Sequence, residues 1–399
     1  MKEYMFDTVI IGSGCAGFNC ADRLYSLGKT NIALVTEGIN SGTSRNTGSD
    51  KQTYYKLSLA GNDGDSVGKM AMDLFRYGGV NGDTALIEAA ESVRSFIRLV
   101  EIGVPFPTNE YGEYVGYKTD HDPRQRATSV GPLTSKYMTE ALEKQVLQKS
   151  IPIFDCCQAV KILVKDAKIC GLIGVDTKTG KWVGFHCSHI VLATGGEAGL
   201  YKNSVYPHSQ SGALGLAVEA GAKCANLNQW QYGIASVKFR WNLSGSYQQA
   251  LPRYIRIDRN GRRSEIFPDY YAIPEETLNR VFLKGYQWPF DIRKAGGSSA
   301  IDLIVYYETT ILGNRVFLDY TTEPHGLENG FDSLGKECRE YLKNCGALQY
   351  GPIRRLLAIN PQAVDLYKRH GIDLETEPLE ISVCAQHQNG GIEVNENWE

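Results

Sequence analysis

Three glycines, Gly12, Gly14 and Gly17, stand at G-x-G-x-x-G spacing in IIGSGCAGF, and Glu37 falls 20 positions after the last of them. Small residues at such a turn let the backbone approach a pyrophosphate, which the positive end of the following helix attracts. An acid at that distance accepts hydrogen bonds from adenosine ribose hydroxyls and repels a 2'-phosphate, which favours FAD or NAD over NADP. The motif has this meaning only between a strand and a helix. Residues 7 to 37 provide that setting: apolar DTVIIG, helical FNCADRLYSLG and apolar NIALVTEG predict a β-α-β unit. The binding positions are then Gly12, Ser13, Gly14, Cys15, Ala16 and Gly17 in the turn, with Thr36, Glu37 and Gly38 at the end of the second strand.

Other chemistry-bearing residues are dispersed. His387 precedes Gln388-Asn389-Gly390-Gly391, where two glycines allow a tight passage of the chain and expose an imidazole to a neighbouring group. Lys238, Arg240, Tyr247, Arg253, Tyr254 and Arg256 crowd one stretch, and guanidinium forks bind carboxylates. His121, Arg124 and Arg126 lie in KTDHDPRQRATSVGPLTSKYM, which reads either as a cleft entrance or as a polar loop capped by Thr134 or Ser135 before a helix running to about Gln148. Neither a G-x-S-x-G elbow nor H-E-x-x-H is present, so serine hydrolysis and zinc proteolysis lack candidates. The ten cysteines contain no C-x-x-C pair, which argues against zinc or an iron–sulfur cluster and for reduced thiols.

These groups need a scaffold, and 399 residues suffice for two domains or for one large domain with an insertion. The apolar share of 42% and charged share of 22% are those of a globular protein, and the 23 tyrosines suit clefts with hydroxyl tips. A formal charge of -3 gives no global field for nucleic acid or anionic membrane. No apolar run is long enough for a transmembrane segment and MKEYMFDTVIIG is no secretory signal, so the expected location is cytoplasmic. SHIVLATGG predicts a strand ending at Gly195-Gly196, a second place for backbone to approach a bound group, beyond what ordinary NAD dehydrogenases need. Residues 151 to 187 predict short antiparallel strands turning at Asp166-Ala167 and Thr179-Gly180, with Val160 of the first assigned to the cofactor.

With GSGCAG, VTEG, SGTSRNTGSDKQ, ATGG and QHQNGGI in this order, the chain resembles the flavoprotein family of succinate dehydrogenase, fumarate reductase and L-aspartate oxidase. The likeness spans nearly the whole chain. It implies an α/β fold: a Rossmann-like FAD-binding domain over 1–226 with a small antiparallel insertion, an inserted α+β capping domain over 227–380, and a return to the FAD domain over 381–399. It also implies that Thr43, Ser44, Asn46, Thr47, Gly48 and Ser49 surround the flavin, and that Ala193, Thr194, Gly195 and Gly196 follow the ADP half. Respiratory members bond the flavin to a histidine where this chain has Gly42, so non-covalent FAD is expected. The family's Thr-Gly-Asp-Gly reads Ser209-Gln210-Ser211-Gly212, with Ser211 kept as a cofactor contact.

The active positions depart from the pattern. His-Pro-Thr-Gly is replaced in the region of Trp230-Gln231-Tyr232-Gly233, the Thr-Glu pair by Ser246-Tyr247, and the Arg-Asp step by Phe290-Asp291. Gln386 takes the place of the substrate histidine, one position before His387. Those differences argue against succinate or fumarate. The expected activity is hydride transfer at flavin N5 to or from a carbon–carbon bond of a small organic acid, with His387, Gln386, Arg240, Tyr247 and Arg253 as catalytic candidates and an electron-donor protein as a further partner. Alternatives are a flavin subunit that only passes electrons on, its pocket filled by Trp230, Tyr247 and Phe290, or an inactive apo scaffold. Family members continue beyond the position of Glu399 with a strand, a Gly-Glu turn and a helix. A fragment, or a chain completed by another polypeptide, is therefore expected, with weakened FAD affinity if the segment is not supplied.

Overall fold

A computed structural model of the chain describes residues 1–399 apart from 62, 63, 77, 120, 121, 123, 208–211 and 329. The β-α-β unit forms as its sequence predicts, with strands Thr8–Ile11 and Ile32–Val35 flanking helix Cys15–Ser26. They belong to a parallel sheet ordered His189–Leu192, Thr8–Ile11, Ile32–Val35, Ile153–Phe154. Both faces are covered, which is why these strands read as unbroken apolar runs. On one face Ile10, Ile32 and Leu34 share a core with Phe18, Phe96 and Leu142 from helices Cys15–Ser26, Gly82–Glu101 and Thr134–Gln148. On the other, Val9, Ile11 and Val35 meet Cys157, Leu172 and Phe185.

Those last three residues come from the antiparallel element expected over 151–187. Its strands Cys157–Lys165, Lys168–Asp176 and Trp182–His186 form a separate sheet with Lys2–Met5 as a parallel edge. Asp166 and Ala167 turn the first hairpin at φ 50° and 58°, the left-handed pair that a two-residue reversal requires. The second reversal uses Gly180 at φ 68° and the Asp176 carboxylate, which accepts from the amides of Lys178 and Thr179.

The third large sheet is antiparallel and has six strands, in the order Trp241–Asn242, Trp230–Ser236, Leu379–Gln388, Arg315–Asp319, Arg253–Ile257, Arg263–Glu265. Helices Pro274–Lys284, Ala300–Tyr306, Pro352–Ile359 and Pro361–Arg369 contribute to its core, which holds Tyr247, Tyr254, Tyr320 and Tyr367. Strand Leu379–Gln388 pairs with Trp230–Ser236 through a bulge beside Gln231 and Tyr232. Its other edge is held by the chain just before Tyr206, where Val205 N donates to Ala385 O at 3.1 Å and Ala385 N to Asn203 O at 3.0 Å. Beyond it, Gly391–Ile392 pairs with Cys224–Ala225. The tight passage expected at the two glycines is made against protein backbone: a Cβ on Gly390 would lie 2.0 Å from Asn226 O.

One local expectation fails. Helix Thr134–Gln148 starts after Leu133 without a side-chain cap. Thr134 Oγ1 instead accepts from Val130 N at 2.9 Å and bonds Gly131 O at 3.0 Å, so the hydroxyl closes the preceding turn.

Candidate functional site

At the carboxyl edge of the parallel sheet lies a cleft of about 520 Å³. Its wall includes Gly12, Ser13, Gly14 and Ala16 from the glycine turn, Thr36 and Glu37 from the next strand end, Thr43 and Ser44, Val160, and Ala193, Thr194 and Gly195. Gly12, at φ +111°, lies so close to the second loop that a Cβ would stand 2.3 Å from Ala193 O. Gly17 brings the helix onto the sheet, since its Cβ would fall 1.9 Å from Gly12 O. Helix Cys15–Ser26 begins at Gly14 with neither a side-chain cap nor an acid in its first turn. The Cys15 amide donates to Ser44 Oγ at 3.3 Å, and the positive dipole end of the helix faces the cleft.

Two more features fit a dinucleotide there. Thr43 Oγ1 is buried with no hydrogen-bond partner, a hydroxyl waiting for a ligand atom. The Glu37 carboxyl is pushed above its usual range by burial, opposed by a hydrogen bond from Gln158. Gln158, Gly215, Leu216 and Glu219 line the cleft although nothing in their spacing singled them out. Glu197 does so too, accepting from Leu214 N at 3.2 Å, and it returns a carboxylate to the corner where the Ser-Gln-Ser-Gly sequence lacks one. Ser211 itself lies outside the described residues.

The remaining cofactor candidates support the wall from behind. Cys15 Sγ lies 2.9 Å from Thr139 Oγ1 in helix Thr134–Gln148. Ser41 Oγ donates to the Gly38 carbonyl. Asn46 Nδ2 donates to the carbonyls of Asn40 and Gly42, Thr47 Oγ1 to that of Val205, and a Cβ on Gly48 would strike the Trp241 ring at 2.6 Å. Gly196 packs beside Gln388, whose Cβ would be 3.0 Å from a Cβ added there. Ser49 is half-buried beside them and is absent from the cleft wall.

The catalytic candidates separate into two groups. His387 Nδ1 lies 3.1 Å from the hydroxyl of Tyr206, a residue that sequence spacing did not reveal. Burial raises the Tyr206 phenol, against the Gln388 backbone, while surrounding protein lowers the His387 imidazole even though part of the residue reaches solvent. Arg240 Nη1 donates to Tyr206 O at 2.9 Å. Gln386 is buried with both amide atoms unpartnered, near Gly233 and the likewise unpartnered Trp288 indole nitrogen. These four residues gather around the end of strand Leu379–Gln388.

Tyr247 and Arg253 do not join them, which corrects the expectation. Tyr247 is fully buried and its hydroxyl donates to Ala363 O at 3.2 Å, because the ring completes the tyrosine core of the six-stranded sheet. Arg253 is held by Glu265 at 2.8 Å across that sheet. Arg126 is no entrance residue either: fully buried, it grips Asp65 through two 2.8 Å bonds and Asp73 through a third. Arg124 Nε lies 3.4 Å from the same Asp65, and His121 falls outside the described residues.

Among the described residues no group of three His, Cys, Asp or Glu side chains is placed to hold a metal ion, and no helix is long and apolar enough to cross a membrane. Residues 7–397 match the FAD binding domain family. A fumarate reductase (CoM/CoB) subunit from Methanothermobacter marburgensis is 28% identical over 402 residues, covering 98% of this chain and 64% of that protein. L-aspartate oxidase 2 of Ralstonia nicotianae is 26% identical over 337 residues, covering 82% and 60%. Among solved structures, the apo Mycobacterium smegmatis Sdh1 complex gives a TM-score of 0.69 at 20% identity, covering 99% of this chain and 61% of that one. E. coli quinol fumarate reductase gives 0.65 at 20%, covering 100% and 63%. The chain therefore spans less than two thirds of the length of these relatives. With the glycine cradle in place and the match running nearly end to end, the chain belongs to the FAD binding domain family, among the flavoproteins related to fumarate reductase, succinate dehydrogenase and L-aspartate oxidase, and its cofactor is FAD.

Proposed function

We propose that this chain is the FAD-holding part of a cytoplasmic oxidoreductase that acts on a small carboxylated molecule other than succinate or fumarate. The carrying observation is the cleft, where a helix N-terminus with no acid in its first turn, an unpartnered Thr43 hydroxyl and Glu37 together suit a pyrophosphate and an adenosine ribose. In this reading residues 1–226 and 381–399 hold the nucleotide and 227–380 form the cap. When bound, FAD supplies two-electron chemistry through its N5 atom. Attachment is non-covalent, since Gly42 lines the cleft and no described histidine does.

The chain's own contribution is a proton route and substrate orientation. Tyr206 gives its hydroxyl proton to the substrate and is re-protonated through His387, whose Nδ1 lies 3.1 Å away and whose ring reaches solvent. Arg240 anchors the Tyr206 backbone, and the free Gln386 amide turns the substrate's polar group. Electrons are exchanged with a partner protein. A subunit without a substrate pocket is the weaker alternative, because Tyr247 lies in the core and Phe290 borders an open cavity.

Titration with FAD should give a saturable yellow complex whose colour stays in the supernatant after acid precipitation. Reductant should bleach it, and at least one member of a panel of unsaturated acids should restore it. No saturable uptake defeats the flavin assignment and supports the apo scaffold; uptake without reoxidation by any acid defeats the substrate class alone. Tyr206→Phe and His387→Gln should each lower single-turnover reoxidation by about 10²–10⁴ with FAD affinity unchanged, the range removed with a general acid or base. Wild-type rates in both variants would end the proposed relay.

A further inference from the structure

We propose that the substrate of this chain is a monocarboxylate carrying an aromatic ring, its carboxylate held at Lys202 and Tyr201 and its ring against Phe290 and Tyr306. The proposal rests on the oxidoreductase reading above and names the kind of acid that the site takes. A cavity of about 510 Å³ lies between helix Ala300–Tyr306, the paired strands Trp230–Ser236 and Leu379–Gln388, and the segment 201–203. It adjoins the proposed proton route. Two of its walls are joined by backbone, Ala385 N donating to Asn203 O at 3.0 Å. The same two segments run on to Tyr206, three residues past Asn203, and to His387, two past Ala385. An extended chain advances about 3.3 Å per residue, which puts His387 about 7 Å along the strand from the cavity wall.

The charges in the wall fit one carboxylate. Among the described residues Lys202 is the one basic side chain lining the cavity, and it is exposed and makes no ion pair with any of them. Beside it, Tyr201 accepts the Tyr232 hydroxyl at 3.0 Å, which leaves its own proton for an anion. An ammonium and a phenolic proton on adjacent residues suit the two oxygens of a single carboxylate. No second cation is offered. Asp302 borders the cavity too, but it is buried and paired with Lys284 at 2.6 Å, so that lysine is already engaged. Phe290, Leu303, Tyr306, Val383 and Ala385 make most of the remaining wall apolar. A second carboxylate against them would lose its water and find no partner. A ring there gains apolar burial and offset or edge contacts with Phe290 and Tyr306. The volume, within the ordinary range of small-molecule pockets of about 300–1,000 Å³, leaves room for it.

The test is calorimetric titration of the full chain, with and without FAD, using trans-cinnamate, trans-cinnamamide, crotonate and fumarate. Cinnamate should bind saturably and about tenfold or more tightly than each of the others: cinnamamide keeps the ring and loses the charge, crotonate keeps the charge and loses the ring, and fumarate brings a second charge. Lys202→Gln, a change on the surface, should bring cinnamate down to the level of cinnamamide and leave cinnamamide unchanged. Phe290→Ala should weaken cinnamate and cinnamamide alike, by about tenfold, with crotonate unaffected. FAD uptake in both variants is the control for folding. Equal affinity for cinnamate and cinnamamide, fumarate binding as tightly as cinnamate, or unaltered cinnamate affinity in both variants would overturn the proposal. Reoxidation of the reduced flavin by crotonate and not by cinnamate would also overturn it, leaving the oxidoreductase reading in place. Selective cinnamate binding without saturable FAD uptake would support the pocket and defeat the flavin reading.

Discussion

Gly17→Ala should abolish saturable FAD uptake or reduce its affinity by at least about 100-fold, the cost of several kcal/mol in misplaced contacts. The added methyl would stand 1.9 Å from Gly12 O and 2.9 Å from Gly12 C, inside any permitted contact. Both opposing atoms are backbone, so no side chain can rotate out of the way. Relief requires the helix to lift from the strand end, which carries its amides away from the pyrophosphate position. Gly68→Ala is the control: it sits in helix Val67–Phe75 with nothing within 4 Å of the added Cβ, and should be neutral or stabilising by up to about 1 kcal/mol. Flavin absorbance titration with a urea melt of each variant checks both. Near-normal uptake by Gly17→Ala would mean that the helix is not held against the turn.

Arg126→Ala should lower stability by about 3–5 kcal/mol, because it strips the cation from a buried cluster of carboxylates. Arg126 serves Asp65, Asp73 and, at 3.4 Å, Asp122, with the Tyr55 hydroxyl at 3.0 Å. Burial alone would raise the Asp65 carboxyl, but the Arg126 fork and the amides of Ser58 and Ser66 hold it down at about 2 from an ordinary 3.8. A depressed carboxyl stabilises the fold above its unfolded value and loses that contribution as pH falls through its folded value. Wild type and variant should therefore differ most near neutrality and converge as pH falls from about 4 toward about 2, provided both remain folded long enough to measure. Urea midpoints at several pH values check the sign; a gap that widens on acidification would contradict it.

Local features of this fold were readable in the residues themselves. The glycine spacing, the apolar runs around it and the Asp166-Ala167 reversal each encode a backbone geometry within a few residues, and each forms where expected. Contacts between distant segments were not. Tyr206 and His387 are 181 positions apart, and nothing near Tyr206 announces its partner. Tyr247 looked available to a substrate because tyrosine has a polar tip, yet that tip can equally be satisfied by a carbonyl deep in a core, as Ala363 does. Arg126 misled in the same way: an arginine in a polar loop reads as surface until Asp65, Asp73 of helix Val67–Phe75 and Asp122 surround it. Glu197 supplies a carboxylate from a different sequence position than the one where the family pattern carries it.

The segment ending at Tyr206 is zipped to Ala385 by two backbone hydrogen bonds, and His387 follows two residues further along the same strand. The phenol and the imidazole thus ride on one stiff ribbon. Their spacing is set when the chain folds, so under the proposed proton route no entropy is spent on assembling the pair, and proton passage would inherit a fixed geometry.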